Sequence, residues 1–176
     1  MPRTRTALLT LALLGLAAGA AAGPEGYYVS VDDSTDARRA LIEIVRADDG
    51  TLEGYARGSF IPGEDVTQPC AKCKDELEGQ PLLGLRILRE LEPSTKSPLE
   101  FKSGCITDPD NGQTYKSKVE FADDYSAVKV RGYIGTPALG RSQVWTRATD
   151  NDIAAANAIG AAFGVPAIAP SQGEAN

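Results

Sequence analysis

The chain contains no histidine among its 176 residues. This absence excludes Ser-His-Asp and Cys-His nucleophile systems, His-ligated metal sites and the usual neutral-pH general base. Positive charge is also scarce, since 18 lysines and arginines stand against 24 aspartates and glutamates. An electrostatic grip on nucleic-acid phosphates is therefore not expected. These absences predict a protein that is not an enzyme, binds no nucleic acid and holds no metal or cofactor.

The first 22 residues have the composition of a secretory signal peptide. Arg3 and Arg5 provide the positive start, an apolar stretch follows, and small residues precede the predicted cleavage site before Gly23. A membrane anchor is the alternative, but the apolar stretch is shorter than the roughly 20 residues that a bilayer span needs. No cysteine lies near the cleavage site, which disfavours a lipid anchor. We predict a periplasmic or secreted protein with no transmembrane segment after signal removal.

Apolar residues recur with a period of two through most of the remaining chain, which predicts β-strands. Helical periodicity is nearly absent before residue 150. Asp49-Gly50 and Asn111-Gly112 are typical of tight hairpins between neighbouring antiparallel strands. The predicted strands are 27–31, 38–47, 51–60, 83–91, 99–107, 113–122, 125–134 and 140–148.

Eight strands joined mostly by short turns favour a closed barrel, because closure removes the two exposed sheet edges. The interior of such a barrel is wide enough for packed side chains or for one small ligand. We therefore predict an eight-stranded antiparallel up-and-down barrel over residues 23–148. A two-sheet sandwich is the alternative, although the hairpin turns disfavour its crossing connections.

Two segments interrupt the strand pattern. Residues 61–82 are too many for a hairpin loop, and Pro69 and Gly79 bracket one or two helical turns. We predict that this segment folds over one end of the barrel as a lid, with Leu77 towards the mouth; a mobile surface loop is the alternative. Residues 149–176 are rich in Ala, Gly and Pro, and predict a short helix followed by a flexible, partly disordered tail.

Cys70 and Cys73 lie three residues apart within the predicted lid, and Cys105 lies in the fifth predicted strand. A disulfide between the first two is allowed in an exported protein, where it would stiffen the loop locally. Thiol redox activity is a weaker alternative, because such motifs occur in a βαβ context that is missing here. Metal binding is weaker still, because three cysteines leave a tetrahedral zinc site one ligand short. Cys105 is expected to be free and largely buried.

Three motifs in the second half carry a family resemblance. Residues 104–115, GCITDPDNGQTY, match the pattern G-x-I-x-D-P-x-N-G-x-x-Y, and VRGYIG at 130–135 and GRSQVWTR at 140–147 follow. Together with the cysteine pair and PLLGL at 81–85, they resemble the exported bacterial family known as domain of unknown function 2147. The resemblance covers about residues 26–148. It implies a small lipocalin-like barrel and implies no activity.

Five residues are candidates for ligand binding: Tyr28, Tyr115, Arg131, Trp145 and Arg147. Trp145 and Arg147 share a face of the last strand, although that face is not identified as inward by the sequence. An arginine there and an aromatic ring of the first strand would form a cation–π contact of about 0.5–2 kcal/mol. Tyr115 and Arg131 belong to the family motifs.

The favoured function is binding of a small apolar or amphipathic ligand inside the barrel. Gly54, Ala56 and Gly58 support this hypothesis, because small inward residues leave volume in the interior. A structural or protein-interaction module with a filled core is the first alternative, because a fold does not fix a function. A thiol-active envelope factor that uses the cysteine pair is the second.

Overall fold

A computed structural model describes residues 23–32 and 34–170 of the chain. The predicted signal peptide and the last six residues of the predicted tail lie outside the described residues. The strands are β1 (Gly26–Val31), β2 (Arg38–Arg46), β3 (Leu52–Ser59), β4 (Arg86–Pro93), β5 (Glu100–Asp108), β6 (Gln113–Phe121), β7 (Ala127–Tyr133) and β8 (Arg141–Arg147). One α-helix, α1 (Asp150–Ala161), follows, and short 3₁₀ turns occur at Asp75–Leu77 and Pro137–Leu139.

The eight strands form a closed antiparallel barrel in which each strand pairs with its neighbours in sequence. Pairing of β1 with β8, with Tyr28 opposite Arg147, completes the closure. The prediction of an up-and-down barrel is confirmed, and the sandwich alternative is wrong. The fourth strand begins three residues later than predicted, because the backbone N–H of Leu83 donates to Val66 O within the long β3–β4 loop.

The barrel interior holds one large apolar cluster. The end of the barrel next to the β6–β7 turn is filled by aromatic rings. Phe121 lies at the centre, with ring centroids 6.0 Å from Tyr28, 5.9 Å from Phe101 and 5.8 Å from Tyr125. Edge-on and tilted arrangements at these separations are the favoured geometries of aromatic pairs. This end, where β2–β3, β4–β5 and β6–β7 connect, is packed shut.

Helix α1 lies on the outside of the barrel against β2 and β3. Thr149 and Asp152 form a reciprocal capping box at its start. Ile153 and Ala156 are buried with Val29 and Leu41 in a second apolar cluster. The segment predicted as a tail thus begins with a helix that belongs to the folded domain. This helix is too short to cross a membrane, and no other described helix is long and apolar enough to do so.

Ser117 on β6 has a fully buried hydroxyl for which the described residues provide no hydrogen-bond partner. An unsatisfied buried polar group costs about 1–3 kcal/mol. We therefore expect Ser117→Ala to raise the free energy of unfolding by about 1 kcal/mol, measured by urea denaturation. Ser142→Ala is the control, because its exposed hydroxyl already accepts a bond from Arg131. A loss of stability in Ser117→Ala would contradict the prediction.

Candidate ligand-binding cavity

A cavity of about 260 Å³ occupies the barrel end opposite the aromatic cluster. Its wall combines strand residues with residues of the β3–β4 loop, which we call the lid (residues 61–85). The buried and half-buried apolar side chains of the wall include Ala40, Ile42, Ala56, Val66, Leu82, Ile87, Ile106 and Trp145. The cavity thus offers an apolar interior of the kind that receives a small organic molecule.

The rim of the cavity is polar and mostly acidic. Its carboxylates are Asp32, Glu64, Asp108 and Asp110, and its one guanidinium is Arg39, which is paired with Asp110. Hydrogen bonds from the hydroxyls and backbone N–H groups of Ser34 and Thr35 lower the pKa of Asp32 to about 2. That carboxyl therefore carries its charge throughout the neutral range.

The lid is tied across the barrel end to the β5–β6 turn. Cys70 and Cys73 form a disulfide, and both residues are buried, at 2% and 4% exposure. Lys72 Nζ donates to Asp110 O at 2.5 Å. The backbones of Gly112 and Lys72 lie so close together that a Cβ atom added to Gly112 would be 1.7 Å from Lys72 O. The predicted disulfide is present, and the segment lies over the barrel end as a lid would.

Inside the lid, the predicted helical turns reduce to a single 3₁₀ turn at Asp75–Leu77. Leu77 is buried at 3% exposure and packs into the main core cluster. Pro69 and Pro81 form an isolated antiparallel bridge that closes the base of the loop. The lid is therefore anchored by an apolar side chain as well as by its cysteine pair.

Arg89 on β4 makes a second connection to the lid that sequence reasoning missed. Its guanidinium pairs with Glu76 of the lid and donates to Thr107 Oγ1 at 3.1 Å. Its Nε donates to Cys105 Sγ at 3.3 Å. Cys105 is free as predicted, but it is half-buried rather than largely buried. No local pattern marks this network, because the three partners of Arg89 lie 13–18 residues from it along the chain.

The five predicted ligand-binding residues separate into three places. Trp145 lines the cavity, is 2% exposed, and donates from Nε1 to Gln143 Oε1 at 2.6 Å. Tyr28 and Arg147 meet at the packed end, away from the cavity. Tyr115 and Arg131 are both half-buried, and neither lies in the cavity wall.

Arg147 and Tyr28 form the plug of the packed end. Arg147 Cζ lies 5.3 Å from the centre of the Tyr28 ring, so the suspected cation–π contact is present. The guanidinium also donates to Tyr28 Oη at 2.8 Å and to the Glu25 carbonyl at 2.7 Å, with longer bonds to Gly23 O and Tyr125 O. Burial raises the pKa of the Tyr28 hydroxyl to about 12, against a smaller opposing effect of Arg147. This geometry closes and stiffens the barrel rather than forming the observed cavity.

The small residues of β3 contribute less cavity volume than the sequence suggested. A Cβ atom on Gly54 would lie 2.9 Å from the Leu88 side chain, so Leu88 fills that space. On Gly58 it would lie 3.0 Å from Ala156 Cβ, so the missing side chain there lets α1 approach. Ala56 and the backbone of Gly58 line the cavity, and Gly54 does not. The wall residues Ala40, Ile87 and Ile106 were missed, although inward strand positions were the signal that could have identified them.

The fold has a counterpart among solved structures. Protein HP1028 of the human pathogen Helicobacter pylori, described as belonging to the lipocalin family, superimposes with a TM-score of 0.62 at 17% identity. The match covers 75% of this chain and 87% of that protein. At this identity the similarity shows a shared fold and no shared ligand. None of the curated proteins matches the chain. A family model described as "Uncharacterized protein conserved in bacteria (DUF2147)" matches residues 26–147, and the chain belongs to that family.

Proposed function

We propose that the protein is a non-enzymatic carrier that holds a small apolar or amphipathic ligand in the barrel cavity. The observation that carries this proposal is the apolar space of about 260 Å³ between the strands and the lid. Small-molecule sites typically occupy about 300–1,000 Å³, so this volume suits a small ligand. An amphipathic ligand would place its apolar body against Ile42, Ala56 and Trp145 and its polar end at the rim.

The packing of the molecule argues against the two alternative functions. A barrel that is only a scaffold gains stability from a core filled along its whole length, whereas here a cavity of about 260 Å³ lies at the end opposite Phe121. A thiol-active factor needs an accessible disulfide, because exchange begins with attack of a thiolate on a sulfur atom. Cys70 and Cys73 are nearly inaccessible at 2% and 4% exposure. The pair instead suits a staple that stiffens the lid.

We further propose that the carrier works outside the cytoplasm, in the periplasm or as a secreted protein. The leader-like composition of the first 22 residues supports export. The disulfide is compatible with the oxidising conditions found there. Fractionation of the producing bacterium, with sequencing of the mature amino terminus, tests this proposal; an unprocessed cytoplasmic protein would contradict it.

The cavity can be tested with N-phenyl-1-naphthylamine, a neutral apolar fluorescent probe. Trp145 is the single tryptophan of the chain and lies in the cavity wall. We expect energy transfer from Trp145 to the bound probe. Ala56→Phe places an aromatic ring in the cavity, and we expect it to weaken probe binding at least about tenfold, through lost apolar burial. Ala158→Phe is the matched control, because Ala158 is exposed on α1, outside the barrel.

Circular dichroism and thermal melting separate blockage from misfolding. If Ala56→Phe does not fold, Ala56→Met supplies a flexible side chain that fills the same space with less strain. Equal probe affinity in a folded Ala56 variant and in the wild type would contradict the proposal, as would the absence of energy transfer from Trp145.

A further inference from the structure

The connection between β7 and β8, residues 134–140, carries exposed apolar side chains. Ile134 is 68% exposed and Leu139 is 82% exposed, and Val144 on the outer face of β8 is 55% exposed. These are the exposed large hydrophobic residues of the described part of the chain. Single exposed apolar residues are ordinary, but their concentration on one connection and its adjoining strand marks an interaction surface.

The same side of the barrel carries basic residues, although the chain as a whole has a net charge of −6. Strand register places four of them together on the outer faces of β6 and β7: Lys116, Lys118, Lys129 and Arg131. Lys118 lies opposite Arg131 in this register, and the acidic residue on these two faces, Glu120, lies opposite Lys129. We call these four residues the basic face.

Arg131 joins the basic face to the apolar connection. Its guanidinium donates from Nε to Pro137 O at 2.6 Å, from one terminal nitrogen to Ala138 O at 3.3 Å and from the other to Ser142 Oγ at 2.8 Å. Within the connection, Leu139 N donates to Thr136 O and Gly140 N donates to Pro137 O. Several backbone groups are thus already paired, which lowers the cost of moving the connection into a region with little water.

We propose that this surface docks the protein onto an anionic lipid bilayer, with Ile134 and Leu139 inserted at the headgroup boundary and the basic face against the lipid phosphates. Residues 134–140 carry no charged side chain that would oppose insertion. Basic side chains around an inserted apolar element are the usual composition of interfacial membrane binding. A protein partner that docks by strand addition needs unpaired backbone groups on this connection. Two of its carbonyls, however, already accept hydrogen bonds from Arg131.

The acidic rim of the cavity determines how the protein would lie on the bilayer. Asp32 and Asp110 belong to the two connections on either side of residues 134–140, so docking squarely on the mouth would bring carboxylates against anionic lipid. Docking on the side of the barrel keeps them further away, and at physiological salt the repulsion decays within about 8 Å. The proposal does not depend on what the cavity holds.

The test is flotation of the chain from Gly23 onwards with vesicles. This form contains the whole closed barrel and α1, and it omits the apolar leader, which would bind lipid by itself. Vesicles of phosphatidylcholine alone are compared with vesicles that also contain phosphatidylglycerol. The salt concentration is about 0.15 M, where charges are screened over roughly 8 Å. We expect partitioning onto the anionic vesicles to exceed that onto the neutral ones by at least about fivefold, the effect of one basic residue near the surface.

Two variants separate the apolar and the electrostatic contributions. Ile134→Ser with Leu139→Ser is expected to lower partitioning by about tenfold or more through lost apolar burial, without lowering the melting temperature. Lys129→Gln is expected to lower partitioning onto anionic vesicles about fivefold. Lys96→Gln, at the opposite barrel end, is expected to leave partitioning unchanged. Equal binding to both vesicle types, or an unchanged double variant, would overturn the proposal. So would a wild-type dimer that dissociates in the double variant while vesicle binding persists, because the surface would then be an interface between two copies.

Discussion

Replacing Arg147 with alanine is expected to lower the free energy of unfolding by about 2–4 kcal/mol, the range for loss of several hydrogen bonds to a charged group at a partly buried site. The guanidinium joins Tyr28 of β1 to the chain that precedes it, through Glu25 O and Gly23 O, and to the β6–β7 turn through Tyr125 O. Removal of the side chain leaves these carbonyls without the donor that organises them. The stacking of the cation over the Tyr28 ring is lost as well.

Arg141→Ala is the matched control for this prediction. Arg141 lies on the same strand and is exposed, and its side chain has no hydrogen-bond or ion-pair partner among the described residues. Its loss is therefore expected to change stability by no more than about 0.5 kcal/mol. Arg147→Lys is expected to fall between the two, because a single ammonium cannot span acceptors that a guanidinium fork reaches together. Urea denaturation measures all three. Equal unfolding free energies for Arg147→Ala and Arg141→Ala would show that the packed end is stable without its plug.

The barrel could be predicted from the sequence because its determinants are local. Alternation places Val119 and Phe121 inward, and the glycines after Asp49 and Asn111 reverse the chain between neighbouring strands. Closure then follows, because only the first and last strands are left unpaired. The contact between Tyr28 and Arg147 could be anticipated for the same reason, since these two strands must become neighbours.

The cavity could not be predicted in detail, because its volume depends on which side chains cross the barrel. From the sequence, Gly54 suggests empty space inside the barrel. In the structure Leu88, more than 30 residues away along the chain, fills that space. On β8 both faces carry apolar residues, and only the closed structure shows that Trp145 is buried while Val144 is exposed. Gly58 faces a helix whose docking site no local pattern identifies. These assignments depend on long-range packing rather than on periodicity.

The last prediction concerns Gly112, where the lid meets the β5–β6 turn. Gly112 has a φ of +72°, which already disfavours any residue with a Cβ atom. A methyl group there would also lie 1.7 Å from the carbonyl oxygen of Lys72, a backbone atom that cannot rotate away as a side chain can. Gly112→Ala must therefore displace the lid from the turn. We expect it to lower the free energy of unfolding by about 3–5 kcal/mol, in the range of severe single substitutions.

Gly50→Ala separates the backbone strain from the contact with the lid. Gly50 follows Asp49 in the β2–β3 turn with a φ of +86°, and a Cβ atom there would meet nothing within 4 Å. It should cost only the left-handed strain of about 1–2 kcal/mol. The excess loss of unfolding free energy in Gly112→Ala then measures the contact between Lys72 and the turn.

If the lid controls entry, N-phenyl-1-naphthylamine should also enter the cavity of Gly112→Ala faster than that of Gly50→Ala in stopped-flow fluorescence. Equal losses of stability in Gly112→Ala and Gly50→Ala would show that the contact between the lid and the turn does not constrain position 112. Equal entry rates in the two variants would show that the lid does not control access to the cavity.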